Sequence, residues 1–164
     1  QGNLADGQTW RWQPVSRARG YFLHAIGTQG DAMVFWSSSE TADAGMGVFD
    51  YLPRATIDKW IKEKVLLDAS ATSCAMPKGI FAAPGQEGGG GMLRMIAFGP
   101  ESSLSYPPRP SDPKVAWVPE WNVRVRTKST TTAILGMDVA PSQPDGKKEK
   151  PKSKMNVLKG ILGG

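Results

Sequence analysis

The sequence predicts a mainly β domain, a β-sandwich or partly open barrel of about seven to eight short strands, with one covering α-helix over residues 55–67 and a flexible C-terminal tail. Three observations carry this prediction. Short runs rich in aromatic and β-branched residues recur between turn-forming residues, at intervals of about eight to twelve positions. A single stretch, holding Ile57, Trp60, Ile61 and Val65, switches to the helical period. Beyond residue 137 the composition becomes polar and lysine-rich. The chain therefore divides into a flexible start (1–8), a β-rich globular domain (9–137) and a linker that leads through a basic run to a short apolar segment (138–164).

Along the chain, Thr9 to Val15 alternates bulky and polar residues, placing Trp10 and Trp12 on one face, with Pro14 at an edge or strand end. Two apolar runs, Gly20–Thr28 and Ala32–Ser37, flank Gln29-Gly30-Asp31. Glycine and aspartate tolerate the dihedrals of a tight reversal, so residues 20–38 read as a β-hairpin. Gly45–Leu52 is a further short apolar stretch. In 55–67 the polar Asp58, Lys59, Lys62 and Glu63 oppose the apolar stripe, and Thr56 is placed to accept from the first-turn N–H groups. Gly88–Gly91 reads as a loose loop. Met92–Phe98 is a strand ended by Gly99-Pro100, and Tyr106–Pro113 runs extended because its prolines lack the ladder donor. In Trp121–Lys128 the alternation puts Trp121, Val123, Val125 and Thr127 inward and Asn122, Arg124, Arg126 and Lys128 outward. Thr130–Met137 supplies a last β-prone run.

The net charge of +5 sits in one place. Residues 147–164 carry Lys147, Lys148, Lys150, Lys152, Lys154 and Lys159 against Glu149, whereas residues 1–146 hold 14 basic and 14 acidic side chains. Taken together, residues 1–146 have no positive excess to attract nucleic acid, which is not an expected partner. No window approaches the about 18 consecutive apolar residues of a membrane helix. Gln1 in place of an initiator methionine fits either removal of an export signal or a truncated chain, and the small, polar start favours the export signal. Location in the bacterial periplasm, outer envelope or outside the cell is therefore expected.

Catalytic raw material is sparse. His24 is the single histidine and Cys74 the single cysteine, too few for an expected metal site. The Cys74–His24 pair is a nucleophile–base combination to weigh, and Asp50, Glu101 and Glu120 are acids beside aromatic residues. The glycine run lacks the Gly-Lys-Ser/Thr of a phosphate loop, and no cofactor is expected. The unusual composition lies elsewhere, in six tryptophans, the proline-rich loop and the basic tail. Candidate binding residues are Tyr106, Arg109, Trp117 and Trp121 around that loop. In the tail they are Lys147, Lys148, Lys150, Lys152 and Lys154 for long-range attraction, with Val157, Leu158, Ile161 and Leu162 to order onto a partner or a membrane surface. The expected function is a non-enzymatic binding or structural module that contacts another protein or assembly. A glycan-binding domain with an aromatic platform is the alternative, and a cysteine- or carboxylate-dependent hydrolase the third.

Overall fold

Along the strand Gly20–Gln29, Tyr21, Leu23 and Ala25 point to one face and Phe22 to the other, and all four are buried. A strand buried on both faces needs a packed layer on each side. The computed structural model describes residues 4–42, 46–82 and 90–136. In chain order its strands are β1 (Gln8–Arg11), β2 (Gly20–Gln29), β3 (Ala32–Ser37), β4 (Leu67–Asp68), β5 (Ser73–Met76), β6 (Gly91–Tyr106) and β7 (Trp121–Leu135). A 3₁₀ turn at Met46–Phe49 and the helix α1 (Arg54–Lys62) fall between β3 and β4.

The main sheet runs β3-β2-β6-β7 with β4 also on β2, while β1 and β5 form a second, two-stranded sheet. Every pairing is antiparallel. Among the described residues the fold is thus mainly β, with two sheets and one α-helix, consistent with the expected sandwich and covering helix. The main sheet does not close into a barrel among the described residues. On one face Tyr21, Leu23, Ala25, Leu93 and Leu135 pack with Leu4, Met76 and Phe81, and Trp10, Trp12 and Trp36 lean on them. On the other face Phe22, Ile96 and Phe98 pack with Val48, Leu52, Ile57, Val65 and Leu66 beneath α1, flanked by Trp60.

Several limits differ from the sequence expectation. Gly99-Pro100 does not end its strand. The register slips between Phe98 and Glu101, so the proline sits in a bulge where no ladder donor is required, and β6 continues to Tyr106. The two expected runs beginning at 121 and 130 likewise join into one strand that extends to Leu135, so β6 and β7 are long rather than short. The helix stops at Lys62, well before residue 67. Lys64 adopts a left-handed φ of 59°, and the N–H groups of Val65 and Leu66 both return to the Trp60 carbonyl. That closure of the last turn drops Val65 and Leu66 into the core. At the start of α1, Pro53 takes the cap position without a side-chain hydrogen bond, so Thr56 is not the cap. The tight turn after β2 is as expected, with Gly30 at φ 57°.

One close approach makes a direct test of this packing. A Cβ on Gly27 would lie 2.7 Å from Cδ1 of the fully buried Phe81, whereas one on Gly90 meets nothing within 4 Å. Gly27→Ala is expected to lower unfolding stability by about 1–3 kcal/mol through overpacking. Gly90→Ala leaves the urea midpoint nearly unchanged, and equal midpoints for the two variants would refute the placement of Phe81.

Candidate aromatic arm

β2 stops pairing with β6 at Gly20–Phe98, yet β6 and β7 stay paired as far as Tyr106–Trp121. Residues 101–106 and 121–126 therefore leave the sheet as a two-stranded arm. Its alternation is amphipathic. Leu104 pairs with Val123, Tyr106 with Trp121, and Ser102 with Val125 on one face. Glu101, Ser103, Ser105, Asn122, Arg124 and Arg126 take the other. On this polar face the Arg126 Nε donates to Glu101 at 2.5 Å, with Arg124 3.9 Å from the same carboxylate. Lys128, below the arm, donates to the Phe49 carbonyl and lies 4.6 Å over the Tyr51 ring.

The apolar face corrects the expected inward packing of Trp121, Val123, Val125 and Thr127. All four are exposed, because the arm overhangs the layer that covers the same face further down the sheet. Its base opens on a cleft of about 240 Å³ lined by Val15, Arg17, Ala97, Pro100 and Thr127.

At the tip the four loop candidates come together. Tyr106 and Trp121 stack with ring centroids 6.1 Å apart and planes at 19°. Arg109 sits over Trp117 at 5.5 Å, and the Trp117 Nε1–H donates to the Pro107 carbonyl at 3.0 Å. The Glu120 N–H donates to the Tyr106 carbonyl at 2.8 Å, closing the loop, and the Tyr106–Pro107 peptide is cis. Trp117 is half-buried and Trp121 exposed, whereas Trp10, Trp12, Trp36 and Trp60 pack against the two cores. The tail candidates Lys147, Lys148, Lys150, Lys152, Lys154, Val157, Leu158, Ile161 and Leu162 lie outside the described residues. Sequence reasoning missed Leu104, Val123 and Val125 as surface residues, since alternation names a face but not whether anything covers it.

The two residues weighed for nucleophilic chemistry are kept apart. Cys74, opposite Trp10 in the small sheet, packs on the Tyr21 and Leu23 side. His24 belongs to the Phe22 face, 4.7 Å from the Phe49 ring. The main sheet lies between them, so they form no nucleophile–base pair. Burial, then the nearby Arg94 charge, lower the His24 pKa below 6.5, and burial pushes the Cys74 thiol above 9.0. The buried His24 Nε2 has no hydrogen-bond partner among the described residues. Glu101 is held by arginines. No group of three His, Cys, Asp or Glu that could hold a metal ion occurs among the described residues, and no described helix is long and apolar enough to cross a membrane.

No protein-family model matches this chain, and neither the curated proteins nor the solved structures contain a match.

Two titrations check these environments. The folded state disfavours protonated His24, while the unfolded chain takes up that proton near pH 6.5. The His24 contribution is therefore complete above that value and is lost as pH falls towards the lowered folded pKa. Urea midpoints are expected to fall from about pH 7.5 to about pH 5, with a smaller fall in His24→Gln; an unchanged pH dependence in the variant would remove this account. Thiol labelling of native Cys74 should be slow at neutral pH and keep rising with pH beyond 9.0, becoming fast in denaturant. Fast native labelling at neutral pH would contradict the burial.

Proposed function

We propose that this chain is a non-enzymatic binding module that contacts another protein or assembly through the apolar face and aromatic tip of the β6–β7 arm. The lysine-rich segment and the apolar stretch 155–162 serve as a second contact. One observation supports this reading above the others. Leu104, Tyr106, Trp121, Val123 and Val125 lie side by side on one face of a protruding ribbon, each between 42% and 56% exposed. Contiguous apolar side chains left in water favour association, at about 25 cal/mol per Å² covered. A strip of five strand positions is about 13–17 Å long, enough to seat a partner strand or helix. Tryptophan, tyrosine and arginine at its end are the residue types that anchor protein interfaces.

A glycan platform is the second reading, favoured by the exposed, nearly parallel Tyr106 and Trp121 rings. The side chains that continue this face are aliphatic, apart from Ser102, and offer few hydrogen bonds to sugar hydroxyls, which favours a protein partner.

The two readings separate experimentally. A photo-crosslinking residue at Val123 in the full chain is expected to join one discrete protein in cells, while the same residue at Asn122, on the opposite face, does not. Trp121→Ala should weaken that partner's affinity by about 30-fold or more with little change in thermal midpoint. Equal crosslinking from both faces, or undiminished affinity in Trp121→Ala, would overturn the protein reading. Tryptophan fluorescence titrated with cell-wall and storage polysaccharides should stay flat; a saturable shift lost in Trp121→Ala would establish the glycan reading instead.

A further inference from the structure

We infer that β3 is a homodimer edge: a second copy of this chain adds its own β3, antiparallel, to the free side of the main sheet. This interface is separate from the arm.

The strand lies at the end of the sheet order, with β2 on one side and no strand on the other among the described residues. Its sequence, Ala32-Met-Val-Phe-Trp-Ser37, has no charge, proline or glycine. Edges that must stay single usually carry such residues, or are otherwise blunted, to prevent pairing. The opposite edge follows that rule, since β7 bears Arg124, Arg126 and Lys128. β3 does not.

The backbone register specifies which groups are free. Ser38 N–H donates to Leu23 O, and Ser37 pairs with His24 in the same ladder. Hydrogen-bonded and non-bonded pairs alternate in antiparallel sheets. Ala32, Val34 and Trp36 therefore spend their backbone groups on β2, whereas Met33, Phe35 and Ser37 aim theirs outward. Met33 and Phe35 also have exposed side chains, at 65% and 71%. A twofold axis through Val34 sets Met33 against Phe35 of the other copy, twice over. That register satisfies the outward groups of both residues with about four ladder bonds. It also sets a thioether against an aromatic ring in each cross-strand pair.

The surroundings are suited to a second copy. Phe35, Ile26, Met92 and Ile134 form one row across β3, β2, β6 and β7. Pairing through β3 makes this row continuous between the subunits. Residues 1–146 carry equal numbers of basic and acidic side chains, so two copies of this stretch meet without net charge repulsion.

Sedimentation equilibrium of the full chain at micromolar concentration is expected to give twice the chain mass. Phe35→Lys, at an exposed position, should raise the dimer dissociation constant by at least about tenfold while preserving near-ultraviolet dichroism. Val34 on the axis becomes a non-hydrogen-bonded pair with Cα atoms about 4.5 Å apart, within disulfide reach. In a Cys74→Ser background, Val34→Cys should therefore form an intersubunit disulfide under mild oxidation, and Asp31→Cys should not. A monomeric wild-type chain, as results if another segment of the same chain covers the edge, overturns the inference. So does a dimer that survives Phe35→Lys and does not crosslink at position 34.

Discussion

The pairing of β2 with β6, Gly20–Gly27 against Gly91–Phe98, is the contact on which the rest of the structure depends. Both strands bury side chains on both faces, so the two-stranded unit is the wall between two apolar clusters. Each cluster recruits a different cover. On the Tyr21 side it is the small β1–β5 sheet with its tryptophans, and on the Phe22 side it is α1 with the 3₁₀ turn. Neither cover holds without the wall, because each presents only a stripe of apolar surface. Two-sided burial also explains why His24 and Cys74 cannot meet, since they belong to opposite sides of that wall.

Where this pairing ends, the surface chemistry changes. Past the bulge at Gly99-Pro100, β6 and β7 keep each other's backbone groups satisfied but lose their neighbour and their cover. The polar face of the arm is stabilised by Glu101 between two arginines, and the apolar face stays in water. The same logic applies at the other end of the sheet, where α1 covers Phe22 and Ile96 but not the row from Phe35 to Ile134. The two candidate interfaces are thus both consequences of partial cover over an otherwise regular sheet.

Much of this was legible in the residues. The hairpin of β2 and β3, the helical stripe at Ile57, Trp60 and Ile61, and the mainly β class follow from local periodicity and turn chemistry. Tyr106, Arg109, Trp117 and Trp121 were singled out by residue type, and the structure gathers them at one tip. Local rules misjudged Gly99-Pro100, because a proline that ends an isolated strand is tolerated in a bulge whose partner strand runs on. They misjudged the end of α1 for a similar reason: the apolar period continues through Val65, but Lys64 turns left-handed so that Val65 and Leu66 enter the core from outside the helix.

What the sequence determined by itself is period, turn positions and charge distribution, all properties of residues within a few positions of one another. What only the tertiary structure decided is which apolar faces are covered. Val123 and Leu23 both belong to β-prone runs, yet one lies in solvent and the other in the core. The difference is set by how far β2 and the covering layers extend beside them, a relation between segments distant in the chain that no local pattern encodes.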